Sequence, residues 1–168
     1  VKLTIVREGL EDPIEVQVTR DVIKLTAAKV RIDDDIVIMR VTTFNEQTIP
    51  NLEDGMKATL KKTGVNEPKG FVLDLRNNPG GLLSVAISVT DLFLDQGEIV
   101  STRDREGKGE RYKASKGDIA NGKPLVILIN AGSASASEIV AGALQDHQRA
   151  IVLGTKSFGK GSVQSVLP

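Results

Sequence analysis

Cysteine is absent from the 168 residues, so disulfides and thiolate metal sites are excluded. The absence fits either redox compartment and decides nothing about location. Tryptophan is also absent, and there are only four Phe and one Tyr, so the core has to be built from Val, Ile, Leu and Ala. Neither sign of charge is in excess. Acidic and basic residues number 22 each, and no global field draws in nucleic acid or an anionic membrane. No apolar run reaches membrane-spanning length, and no signal peptide is visible. There is no internal repeat and no low-complexity segment. No His, Cys or carboxylate cluster has metal-ligand spacing, so neither a metal nor a cofactor is called for; Asp33-Asp34-Asp35 reads as a solvated turn. A single histidine, His147, is available to any Ser-His-Asp mechanism.

The length suits one domain of ordinary size, or one domain with part of another. Both ends break off abruptly, inside "VKLTIV" and after "SVQSVLP", which reads as an excised fragment. The first twenty residues alternate as a β-hairpin, with turn residues in "REGLEDP". Further strands are expected at Ala28–Ile32 and Ile36–Val41. After Pro50 the period changes: Leu52, Met56 and Leu60 share one helical face, and Gly64 stops that helix. "GFVLDLR", "KPLVILIN" and "RAIVLG" are short apolar runs expected of buried parallel strands. Two helices separate them, "LLSVAISVTDLFLDQG" and "SASEIVAGALQDHQ", with a solvated hairpin excursion that turns at Glu106–Gly109. The layout is α/β, with a central, largely parallel sheet flanked by helices.

In such sheets, sites form where strands end and helices begin. Two junctions qualify, "RNNPGG" and "NAGSAS". Each presents free backbone N–H groups at the positive end of a helix dipole. Side by side, they would make an oxyanion hole, half of an acyl-transfer site. The serines of "GSASASEI" admit two readings. Ser135-Ala-Ser-Glu138 matches a capping box, which the local pattern favours. Alternatively one serine is a nucleophile. Successive helical residues rotate by about 100°, so Ser133, Ser135 and Ser137 cannot all face one cleft.

His147 lies at the far end of the helix that begins at these serines, roughly 18 Å away for a helix of about twelve residues. It reads as a C-terminal helix residue, and Asp146 as a solvated or structural carboxylate. Lys160 is the better base. Glycines on both sides let its backbone approach another element, and in an extended "KGSVQS" Gln164 shares its face and can hold the amine. A neutral amine there requires burial to lower the lysine pKa from about 10.4 towards 7. The bland alternative is a surface lysine in a flexible loop. "GTKSFGK" also begins like a phosphate-binding loop, but Gly161 stands where Ser or Thr should hold magnesium, and no helix follows.

Together "MRVTTFNEQT", "GFVLDLRNNPGGLL" and "GSASASEIVAGALQDHQRAIVLGTKSFGKGSVQSVLP" resemble the carboxy-terminal processing (tail-specific) proteases over most of residues 22–168. The resemblance implies a serine endopeptidase that trims proteins near an apolar C-terminus by a Ser-Lys mechanism. It puts the nucleophile at Ser135, the general base at Lys160 and its orienting glutamine at Gln164. The oxyanion hole would be made by the Ala136 N–H and by that of Gly80 or Gly81. Capping then stays open at Ser133 or Ser137, and Asp146 matches an acidic family position of less secure role. The resemblance further implies that residues 1–21 are the last two strands of a PDZ domain and 22–168 a C-terminally truncated protease core. Partners would be protein or peptide substrates and not nucleic acid, with a homo-oligomer left open. The location would be exported, periplasmic or cell envelope. The competing reading is a non-catalytic peptide-binding scaffold, or an inactive fragment of such a protease. The two differ in whether Lys160 is buried near Ser135.

Overall fold

The computed structural model describes residues 1–21, 26–65 and 67–164. The expected domain boundary after residue 21 abuts residues 22–25, which lie outside the described residues, as do 165–168, the end of "SVQSVLP".

The N-terminal hairpin forms as expected, with β1 (Lys2–Ile5) antiparallel to β2 (Ile14–Gln17). Next come β3 (Ala28–Asp33) and β4 (Ile36–Val41), joined by a tight turn in which Asp34 takes a positive φ of 51°. Asp tolerates that conformation better than most side chains, so the aspartate run is a turn, as its composition suggested. Helix α1 (Thr48–Thr63) begins two residues before Pro50 and ends at Gly64, whose left-handed backbone returns its N–H to the Leu60 carbonyl at 2.9 Å. Strand β5 (Gly70–Asp74), helix α2 (Leu83–Asp91), the hairpin β6 (Glu98–Ser101) and β7 (Arg111–Lys113), strand β8 (Leu125–Ile129), helix α3 (Ala136–Asp146) and strand β9 (Ile151–Gly154) complete the order.

Two boundaries differ from expectation. Helix α2 stops at Asp91 and not at Gly97, because the chain turns there to bury Phe93 and Leu94. The turn of the β6–β7 hairpin is built on Asp104, whose carboxylate accepts the N–H groups of Glu106 and Lys108, so it lies slightly earlier than Glu106–Gly109.

The sheet has five strands in the order β3-β4-β5-β8-β9. β3 and β4 are antiparallel, while β4, β5, β8 and β9 are parallel. Each parallel crossover steps one place in the same direction. With right-handed connections this puts all three helices on one face, and α1 touches α2 as α2 touches α3. Beneath the helices Val37, Met39, Val41, Phe71, Leu73, Leu125 and Ile127 are buried. The opposite face is less covered than two-sided apolar runs led us to expect. Val72 and Val126 are half-buried, and Ile151 and Leu153 are exposed. Near-continuous apolar runs suit a sheet packed on both faces, but here helices occupy only one.

Candidate active site

The topology places the β5–α2 and β8–α3 junctions next to each other, since β5 and β8 are neighbours. Two asparagines tie them: the Asn77 N–H donates to Asn130 Oδ1 at 2.8 Å, and Asn130 Nδ2 donates to Asn77 Oδ1 at 2.9 Å. Asn78 is fully buried and organises the rest. Its Nδ2 donates to the Val41 carbonyl and its Oδ1 accepts the Gly80 N–H, both at 2.9 Å. Its carbonyl accepts from the Ala134 N–H and from Ser137 Oγ.

These contacts sort the three serines. Ser133 and Ser137 are buried, their hydroxyls donating to the Leu75 and Asn78 carbonyls at 2.8 and 2.9 Å. Ser135 is half-exposed and has φ 55° and ψ −112°, a backbone state that costs on the order of 1–3 kcal/mol for a side-chain-bearing residue. The capping box expected at Ser135–Glu138 forms. Glu138 reaches back to the Ser135 N–H at 2.8 Å, and the Ser135 side chain faces the Glu138 amide. That amide also donates to the Ser135 carbonyl at 2.9 Å. Ser135 lines a cleft of about 730 Å³. The cleft is lined by Leu83, Val100 and Ile139 on its apolar side, by the β6–β7 hairpin, and by Lys160 to Val163.

Gly80 and Gly81 lie against the Ser135 turn in different ways. A Cβ on Gly80 would stand 2.9 Å from Ser135 Cβ and 3.0 Å from the Ala136 nitrogen, while one on Gly81 would collide with the Phe44 carbonyl. The Gly80 N–H is already bonded to Asn78. The N–H groups of Gly81 and Ala136 have no protein acceptor among the described residues.

Lys160 shares the cleft with Ser135, but its side chain is exposed and makes no hydrogen bond among the described residues. Gln164 is likewise exposed and lies beyond the residues that line the cleft. The segment from Gly159 to Gln164 carries no regular secondary structure. His147 caps the far end of α3, where its Nε2 pairs with the Glu98 carbonyl at 2.8 Å, well away from Ser135. Asp146 is exposed at the same end.

Glu138 is the group whose reach went unread. Besides the Ser135 N–H its carboxylate accepts from Ser157 Oγ, the Gly159 N–H and the Lys160 N–H. Burial pushes this carboxyl up, but the hydrogen bonds from Ser157, Gly159, Lys160 and Ser135 outweigh it and hold the group below the usual range. The capping pattern flagged the residue, but no spacing rule joins it to a loop about twenty positions later.

The pattern of peptidase family S41 matches residues 35–168. The chain belongs to this family. The carboxy-terminal-processing protease of Bartonella bacilliformis is 53% identical to it over 169 residues, covering 100% of this chain and 39% of that protein. The carboxyl-terminal-processing protease of Synechocystis is 41% identical, covering 99% of this chain and 39% of that protein. Among solved structures, the photosystem II D1 C-terminal processing protease superimposes with a TM-score of 0.75 at 29% identity, covering 99% of this chain and 47% of that one. This S41 chain thus spans about two-fifths of the curated relatives it matches, 39% in both cases.

Proposed function

We propose that the full protein is a serine endopeptidase that cleaves protein substrates near an apolar C-terminus, with Ser135 as nucleophile and Lys160 as general base. The observation that carries this reading is the Ser135 hydroxyl. Ser135 alone of the three serines is not buried, sits on a strained strand-to-helix turn, and lines the same cleft as Lys160. The relatives' names supply the substrate class: they are carboxy-terminal processing proteases.

In the reaction, neutral Lys160 takes the Ser135 proton as Oγ attacks the scissile carbonyl. The oxygen that gains charge is met by the Ala136 and Gly81 N–H groups, two donors at the paired junctions that have no acceptor among the described residues. Gly80 presses the turn against Ser135 and does not donate. Lys160 then returns the proton to the leaving amine, and water repeats the sequence on the acyl-enzyme. Gln164 would orient the Lys160 amine in the substrate-bound site. The Lys160 side chain is exposed, so its amine must move into the cleft to act. Apo catalytic contacts commonly tighten only with substrate.

Residues 1–21 form a separate hairpin, consistent with the end of a PDZ domain. The family match also supports an exported, periplasmic or envelope location, and among the described residues no helix is long and apolar enough to cross a membrane. The test is a pH–rate profile of the full-length protein. Ser135→Ala and Lys160→Arg should both be inactive, the latter because guanidinium stays protonated. His147→Ala should keep the wild-type ionisation. Near-normal turnover in Lys160→Arg would show that another group is the base.

A further inference from the structure

We infer that Glu138 is a positioning residue: its carboxylate latches the loop that carries the base onto the turn that carries the nucleophile. The inference rests on the Ser135–Lys160 reading above. Oε2 accepts the Ser135 N–H at 2.8 Å and the Lys160 N–H at 2.9 Å, so one oxygen bridges the backbones of the two residues. Oε1 accepts Ser157 Oγ at 2.7 Å and the Gly159 N–H at 2.6 Å. Between them the Phe158 N–H donates to the Ser133 carbonyl at 3.0 Å, closing the same seam.

A capping role needs only the first of these contacts. The other three go to residues 19 to 22 positions along the chain. Beyond the Phe158 N–H bond to Ser133, no further contact of that kind restrains the loop among the described residues, since Phe158, Gly159 and Lys160 are exposed and irregular. All four partners are donors, so the latch needs a group that only accepts. A carboxylate offers that on both oxygens. Glutamine would accept on one oxygen and turn its NH2 against two donors. Aspartate keeps the chemistry but falls short by one methylene, about 1.5 Å. Lys160 therefore starts from a fixed backbone position beside Ser135, and only its side chain has to move.

The test compares Glu138→Gln, Glu138→Asp and Ser157→Ala in the full-length protein, with Ser135→Ala as control. Glu138→Gln should lower kcat by about 100-fold, the cost of misplacing a catalytic group by about 1 Å, with KM changed by less than about threefold. Glu138→Asp should recover part of that loss. Ser157→Ala, which removes one latch contact and leaves the helix cap intact, should lower kcat by about three- to tenfold. Amide exchange supplies a readout that does not depend on turnover: the Gly159 and Lys160 amides should exchange at least about tenfold faster in Glu138→Gln, with those of Ile127 and Leu144 unchanged. Wild-type kcat in Glu138→Gln, or unchanged exchange at Gly159 and Lys160, overturns the latch. Turnover that survives Ser135→Ala overturns the Ser-Lys reading instead and with it the catalytic meaning of the latch.

Discussion

At the scale of single residues the site is a matter of which serine lines the cleft. Ser133 and Ser137 are buried and bond backbone carbonyls inside the junction, while Ser135 is half-exposed and lines the cleft. Ser133→Ala and Ser137→Ala should therefore act on stability, each costing about 1–2 kcal/mol because a buried carbonyl loses a donor. Ser135→Ala should leave the melting temperature unchanged or raise it slightly while abolishing cleavage in the full-length protein. Thermal melts beside peptide hydrolysis separate the two effects; a Ser135→Ala variant as destabilised as Ser137→Ala would mean that its side chain is structural. The rotation argument showed from the sequence that the three serines could not share a cleft. It could not say which one faces it, because the deciding contacts come from Leu75 and Asn78, on another strand's turn. Glu138 was visible only as a cap partner for the same reason: its other ligands lie on a loop that folds back through space.

At the scale of elements, the turn after β5 is held from both ends. Asp74, the last residue of β5, is buried beneath Arg40 and Arg76, which reach it at 2.7 and 2.8 Å. Burial pushes its carboxyl up, but the Arg76 hydrogen bonds and the two guanidinium charges prevail and hold it below the usual range. A carboxyl lowered on folding adds stability above its unfolded pKa of about 3.9, and that stability is lost as pH falls through the folded value. Asp74→Asn should cost about 2–3 kcal/mol at neutral pH, the arginines being half-exposed, and should flatten the acid arm of the stability curve below about pH 4. Glu138 titrates in the same direction, so part of that arm should survive in Asp74→Asn. Chemical denaturation at neutral and acid pH measures both; a variant whose loss is equal at every pH would show that the ion pairs are not the source. At the other end of the turn, Gly80→Ala would force a methyl against Ser135 and Ala136 at a backbone φ of 107°. It should reduce turnover by at least about 100-fold, since the displaced groups are the proposed nucleophile and oxyanion donor together. Wild-type kcat in that variant would remove the Gly80 contact from the catalytic account.

At the scale of the whole molecule, periodicity and breakers carried most of the architecture. The apolar runs at β5, β8 and β9 marked the parallel strands, and Gly64 ended α1 where glycine chemistry required. The end of α2 was not readable, because Phe93 and Leu94 continue an apolar pattern whose burial is decided by neighbours. Nor could the sequence show that the helices share one face, which depends on strand order. The β1–β2 hairpin stands apart at this scale. Its side chains are largely exposed, and its substantial contacts are between its own two strands. An isolated hairpin is marginal in water, so it lends the core little. Deleting residues 1–18 should leave the core's melting temperature within about 2 °C of the parent chain, less than the shift expected from a loss of 1 kcal/mol in a domain of this size. The hairpin amides in the intact chain should exchange near the rate of unstructured peptide. A larger fall in melting temperature would mean that the hairpin packs on the sheet in solution, and the half-covered face around Val72 and Val126 would be the surface to examine by exchange.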